Sequence, residues 1–156
     1  MNYKLLIGLI LLVLCVFIGR EYAKRYSLRK KFYFDLNNFN HYLINEITFT
    51  KNTIPNILKD KGNQDSALYK NLRLYFIEKK EITDCKVLSK DENEFFLDYL
   101  KKVSKVDMQS QVNYVNSMSS YLSKKLNESI EQEKKQKPLC IKLSFMIGLV
   151  LLILVL

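Results

Sequence analysis

A chain of 156 residues with 25 Lys and Arg against 16 Asp and Glu carries a formal net charge of +9 and a pI near 9.4. Its 4 Gly, 2 Pro, 1 His and 3 Cys leave too little turn chemistry for a β protein, no even disulfide framework, and few ligands for a metal or acid/base centre. With two apolar terminal runs set aside, about 120 residues remain, enough for one compact domain and too few for two.

The first run, Leu5 to Gly19, is uncharged. As a helix at about 1.5 Å per residue it extends roughly 22 Å, against a hydrocarbon core near 30 Å. Lys4 and Arg20 can snorkel, and Tyr3 and Tyr22 suit the interface, so the shortfall can be met. A cleaved export signal also begins with a positive charge and an apolar stretch. The cleavage end does not fit: Ile18-Gly19-Arg20-Glu21-Tyr22 has no small-x-small site, and Leu14-Cys15 lacks the small residue a lipoprotein signal places before its cysteine. Residues 1–20 are read as an uncleaved transmembrane anchor.

Leu28, Phe32, Leu36, Phe39, Leu43 and Ile47 recur at three- and four-residue steps, so the same helix should continue out of the membrane with that stripe facing inward. Thr53 before Ile54-Pro55 marks a short helix that turns Ile57 and Leu58 in and ends at Lys61-Gly62-Asn63. Asp65 is the expected cap of the next helix, whose apolar face is Leu68, Leu72, Tyr75 and Phe76. Ile82, Val87 and Leu88 suggest a further short helix.

Ser89 to Glu92 is a capping box opening a helix with Phe95, Phe96, Tyr99, Leu100 and Val103, followed by a turn at Ser104-Lys105-Val106. Asp107 should cap a long last helix with the stripe Val112, Val115, Met118, Leu122, Leu126 and Ile130. Gln109, Ser110 and Gln111 finish that cap, and Pro138 should kink or restart the helix. The closing run, Leu143 to Leu156, extends roughly 21 Å and can lengthen back through Leu139, Cys140 and Ile141 past Lys142.

The predicted fold is all-α: an antiparallel helical bundle, residues 21–137, between transmembrane helices at 1–20 and 138–156. Gln132 to Lys137 reads as a solvated stalk, and Cys15, Cys85 and Cys140 are expected to be free thiols.

Basic residues close to membrane segments stay cytoplasmic. Arg20, Lys24, Arg25, Arg29, Lys30 and Lys31 follow the first run, and Lys134, Lys135, Lys137 and Lys142 precede or open the second, so the middle is expected to be cytoplasmic. Arg20, Lys24, Arg25, Lys134, Lys135 and Lys142 are the orienting set. Residues 32–133 hold 14 basic and 15 acidic groups. The positive surplus therefore lies beside the bilayer, where it favours anionic lipid rather than nucleic acid.

Catalytic constellations are lacking. His41 stands on the polar side of its helix without a metal-spaced Cys, Asp or Glu cluster, and no glycine loop of the phosphate-cradling kind occurs, so the chain is not expected to be an ATPase or to hold a cofactor. Glu92, Glu94 and Asp98 are the densest carboxylates and read as a solvated face. Tyr33, Tyr42 and Tyr69 are either a contact surface or core.

The chain resembles the stage III sporulation protein AB family of endospore-forming bacteria over nearly its whole length. The order of anchor, helical middle and closing apolar helix carries the likeness, with three local matches. Leu36 to Leu58, with Leu43, Glu46-Ile47 and Ile54-Pro55, is similar to the family's helix ending in Glu-Ile and its Pro-containing turn. Asp107-Met108-Gln109-Ser110-Gln111 is similar to its Asp and Gln at that spacing, and Gly148 to Leu154 to its closing Gly-Leu-rich segment. Val103-Ser104 stands where the family often has Leu-Gly ahead of the Asp, and there is no Trp.

The resemblance implies a structural part in the SpoIIIA–SpoIIQ channel complex between mother cell and forespore, set in the outer forespore membrane. It also implies a soluble domain like the cytoplasmic domain of GspF, the type II secretion platform protein. By that analogy the partners would be the cytoplasmic ATPase SpoIIIAA and other SpoIIIA-type proteins, with self-association open. Glu46, Pro55, Asp107 and Gln111 are the family-motif residues and the candidate contacts. A platform protein of a non-sporulation secretion or pilus apparatus, and a small membrane-permeabilising protein, remain alternatives.

Overall fold

The computed structural model describes residues 2–50, 53–60, 66–80, 82, 85–105 and 108–155. Every regular element among them is helical: α1 (Asn2–Asn45), a π-helical turn (Glu46–Thr50), α2 (Ile54–Asp60), α3 (Ala67–Phe76), α4 (Lys90–Lys105) and α5 (Met108–Val155). The all-α expectation holds. Packing divides the chain into two compact units, Lys31–Asn127 and Met1–Lys30 with Glu128–Leu156. These are divisions of packing, whereas the boundaries drawn after residues 20 and 137 are divisions of hydropathy.

Of the expected stripe of α1, Leu28, outside the unit Lys31–Asn127, is exposed, whereas Phe32, Leu36, Phe39, Leu43 and Ile47 are buried in that unit. They share one core with Ile57 and Leu58 of α2, Leu68, Tyr69 and Leu72 of α3, Phe96, Tyr99, Leu100 and Val103 of α4, and Val115 and Leu122 of α5. Each such side chain removed from water contributes about 1.5–3 kcal/mol. Aromatic edges set the fit, with Phe32 against Phe96 at 5.1 Å and Phe39 against Tyr69 at 6.2 Å, both near perpendicular.

α1 and α5 run antiparallel here. Asn37 accepts from Ser123 (3.3 Å), while Asn40, further along α1, donates to Ser119 (3.1 Å) and to the Val115 carbonyl (3.0 Å), both earlier in α5. Tyr99 closes the network by donating to Asn40 Oδ1 at 2.9 Å. Asn40 is fully buried with its donors and acceptor engaged, which makes an internal polar group tolerable and fixes the register of three helices.

The shorter elements follow local chemistry. The Thr53 carbonyl accepts from Asn56 and Ile57, and Pro55 lies in the first turn of α2, where a missing N–H costs nothing. Lys61-Gly62-Asn63, the expected stop, lies outside the described residues. α3 is capped by Ser66, whose extended backbone lets its hydroxyl accept from Tyr69 N; the cap falls one residue after Asp65, itself outside the described residues.

Of the short helix expected around Ile82, Val87 and Leu88, the described residues Ile82 and Cys85 to Leu88 are not helical. Cys85 to Leu88 is a turn closed by Leu88 N to Cys85 O at 2.9 Å. Buried Asn93 clips it: its Oδ1 accepts from Cys85 N, and its Nδ2 reaches the carbonyls of Cys85, Leu88 and Ser89. A side chain from the next helix thus supplies the bonds that helical backbone would otherwise have made.

The capping box is formed reciprocally, Glu92 N to Ser89 Oγ at 3.3 Å and Ser89 N to Glu92 Oε2 at 3.0 Å. Glu92 also accepts from Tyr33 at 2.8 Å, so this carboxylate is structural, while Glu94 and Asp98 are exposed as expected. Ser89→Ala should cost about 1 kcal/mol and Glu92→Ala more, since the latter also strips Tyr33 of its acceptor. Urea unfolding of the two variants followed by circular dichroism checks the order. α4 then runs through Lys105, covering two positions of the expected turn.

The unit formed by Met1–Lys30 and Glu128–Leu156 is a pair of antiparallel helical segments. α1 and α5 are each long and apolar enough to cross a membrane, and only 11% and 6% of their apolar windows are buried, unlike core helices of soluble proteins. Pro138 sits inside α5 without restarting it. Proline lacks the N–H that would bond the carbonyl four residues back, so one bond is forgone while the helix carries on.

Small residues form the seam. A Cβ at Gly8 would meet Leu152, one at Gly19 would overlap the Ser144 side chain and lie 3.3 Å from the Cys140 carbonyl, and one at Gly148 would lie 3.2 Å from Leu12 Cα. Beyond the apolar part, Ser27 donates to Glu133 at 2.6 Å, Lys30 pairs with the same carboxylate, Lys137 reaches it at 3.4 Å, and Arg29 bonds Gln132.

The Lys30 and Ser27 hydrogen bonds hold the Glu133 carboxyl down at about 2, from 4.5. A carboxylate whose folded value lies below its unfolded one stabilises the fold fully above the unfolded value and loses that contribution as pH falls toward the folded one. Both lysines are partly exposed, so solvent reduces the contribution to about 1–2 kcal/mol. Amide protection factors around Ser27 and Glu133, taken relative to the intrinsic exchange rate at each pH, should fall between about pH 5 and pH 2. Glu133→Gln should exchange faster at neutral pH and show no such step.

Candidate functional site

The antiparallel register of the bundle unit places the end of α1 and the start of α5 at the same end of that unit, together with the last turn of α4. Three of the four family-motif residues are described there. Glu46 opens the π-helical turn and is half-buried; Thr50 Oγ1 donates to its carbonyl (2.6 Å) and carboxylate (2.5 Å). Pro55 is half-buried at the start of α2. Gln111 Nε2 donates to the Val103 carbonyl at 2.6 Å, which ties the first turn of α5 to the last turn of α4 and satisfies a carbonyl near a helix end. Asp107 lies outside the described residues.

Glu46 thus holds the π-helical turn that ends α1, and Gln111 joins α5 to α4 at this end. Between Glu46 and Pro55 stands Phe49, 81% exposed, with its neighbours Thr48 and Thr50 also exposed. Sequence reasoning passed over Phe49 because the stripe runs through Leu43 and Ile47. An aromatic off the buried stripe, just before a proline-marked helix start, was the available signal.

The remaining candidates separate cleanly. Tyr33 and Tyr69 are buried, so the core role applies to both, and Tyr42 is half-buried against the same core. Burial also pushes the Tyr99 hydroxyl well up, keeping it a donor to Asn40. His41 is exposed. Among the described residues no group of three or more His, Cys, Asp or Glu is arranged to hold a metal ion.

Arg20, Lys24, Arg25, Lys134, Lys135 and Lys142 are all exposed, in the unit of terminal segments. Lys24 pairs loosely with Glu21 (3.9 Å) and Lys135 with Glu131 (3.8 Å), while Arg25 lies 5.2 Å from the centre of the Tyr22 ring. Exposed pairs at such distances leave the charges available to the surroundings.

No curated protein and no solved structure matches the sequence. The family model described as stage III sporulation protein AB matches it at residues 4–84 and 77–156. Those two stretches take in the membrane-length helices, the bundle and all four motif positions, and the chain belongs to the stage III sporulation protein AB family.

Proposed function

We propose that this protein is a non-catalytic membrane platform in the channel complex between mother cell and forespore, with its bundle in the mother-cell cytoplasm and the bundle end around Phe49 receiving a cytoplasmic partner. SpoIIIAA, the ATPase suggested by the family's likeness to GspF, is the partner proposed. Family membership favours this role over a platform in an apparatus unrelated to sporulation. The orientation rests on the basic residues beside the apolar runs, which are retained on the cytoplasmic side.

The observation that carries the docking surface is Phe49 itself. A large aromatic ring left in water, on a π-helical turn closed by the bond from Thr50 to Glu46, is the kind of side chain that dominates protein–protein contacts.

The test is binding of the purified ATPase to the full-length protein in detergent, followed by interferometry. Phe49→Ala should weaken binding about ten-fold or more. Phe34→Ala, which removes an exposed ring elsewhere on α1, should leave it unchanged. Equal loss in both variants, or no binding by folded wild type, would discard the docking surface.

A further inference from the structure

The unit of terminal segments contains an open groove of about 590 Å³ lined by Val16, Arg20, Glu21, Ala23, Lys24 and Ser27 of α1 and by Lys137 and Ile141 of α5. The lining changes character along its length. Val16 lies in the first uncharged run and Ile141 just ahead of the second, while Arg20, Lys24 and Lys137 stand at the polar end with Ser27.

Val16 to Ser27 spans roughly 16 Å along a helix, enough to cover the headgroup layer of a bilayer leaflet, about 5–8 Å deep, and the first part of the hydrocarbon. Three cations face one carboxylate. Glu21 meets Lys24 only loosely at 3.9 Å, and Arg20 has no carboxylate partner among the described residues. Lys137 shares Glu133 with Lys30 and Ser27, so its charge is only partly balanced. The polar end therefore carries unspent positive charge with guanidinium, ammonium and hydroxyl donors, which is the chemistry of phosphate recognition.

The volume lies in the range of small-molecule sites and exceeds what one tetrahedral anion fills. The apolar end has use for a ligand only if that ligand continues into acyl chain. From this we infer that the groove is a specific site for one anionic phospholipid, its phosphate held by Arg20, Lys24 and Lys137 and its upper chain lying along Val16 and Ile141. The inference rests on insertion of the terminal helices in a bilayer, and is independent of which protein docks on the bundle.

The experiment uses the full-length protein, delipidated in a neutral detergent, with phosphatidylglycerol or phosphatidylcholine added and the lipids retained counted by native mass spectrometry. One phosphatidylglycerol should stay bound per chain in preference to phosphatidylcholine. The pair Arg20→Gln with Lys137→Gln should reduce retention about ten-fold, as expected for loss of charge-assisted bonds. The pair Arg25→Gln with Lys135→Gln removes equal charge outside the groove and should leave retention unchanged; Arg20→Lys with Lys137→Arg should restore most of it.

Equal loss in the two glutamine pairs would reduce the effect to diffuse attraction and overturn the site. Equal retention of both lipids would do the same. Displacement of the lipid by millimolar inorganic phosphate would show that the headgroup alone is recognised and overturn the lipid assignment. Far-ultraviolet circular dichroism of every variant ensures that lost retention is scored only for helical protein.

Discussion

Asn40→Ala is expected to destabilise the bundle unit by about 2–4 kcal/mol, a large share of the stability of a domain of this size. The substitution deletes the bonds to Val115 O and Ser119 Oγ and leaves the buried Tyr99 hydroxyl without its acceptor. A buried group stripped of its partner bears its full desolvation penalty, so the loss exceeds the net worth of the bonds removed. Tyr99→Phe should cost only about 1 kcal/mol, because the Asn40 oxygen alone is then left open. Asn40→Ala with Tyr99→Phe should cost clearly less than the sum, since neither orphan remains. Denaturant melts of the four proteins decide it; strict additivity would show that the two residues do not act as one network.

The glycine seam of the terminal unit predicts the second large effect. Gly148→Cys places a Cβ 3.4 Å from the Cys15 Cβ, close to the ~3.5–4.5 Å found across disulfides. Mild oxidation of that variant in membranes should therefore give an intrachain link, seen as faster migration on a non-reducing gel and abolished by Cys15→Ser. Adding Gly19→Leu should sharply reduce the yield. Its side chain would occupy the space of Ser144, and overpacking of a fitted interface costs about 1–3 kcal/mol. With no hydrophobic effect between helices in lipid, close backbone approach is what holds such a pair together, so this loss is not readily recovered elsewhere. Undiminished crosslinking in the Gly19→Leu protein would show that the two segments are not held by this seam.

Features written in local periodicity were legible from the chain alone. The stripe from Phe32 to Ile47, the reciprocal Ser89 and Glu92 cap and the run of α5 through Val115 and Leu122 all depend on residues three or four apart, and the structure forms each of them. What escaped depends on partners far away in sequence. Asn93 clips a turn where apolar Ile82, Val87 and Leu88 suggested a helix, and Asn40 reads as an ordinary polar residue until Tyr99 and Val115 are brought beside it.

Gly8, Gly19 and Gly148 likewise look like scattered members of apolar runs until the opposing segment gives them a role. Pro138 was weighted by its intrinsic preference, which the flanking helix on both sides overrides. At the candidate site, Glu46, Pro55 and Gln111 came from resemblance, and the parts Glu46 plays in the π-helical turn and Gln111 in joining α5 to α4 became visible only with Thr50 and the Val103 carbonyl in place. Phe49 was missed because periodicity selects what is buried, and a docking residue is by nature left out of it.

The α1 stripe also sets a timetable for synthesis. Phe32 and Asn40 emerge early, yet the groups that cover them, Phe96, Tyr99 and Val115, are encoded 59 to 75 residues later. At about 5–20 residues per second, that leaves an apolar ribbon partly uncovered for roughly four to fifteen seconds after it leaves the ribosome. During that interval the nascent chain presents Phe32 without Phe96 and Asn40 without Tyr99 and Val115, while α2 and α3 already supply part of the cover, as Tyr69 does for Phe39. Slowing translation between codons 45 and 95 should therefore increase aggregation of the product without altering the finished protein.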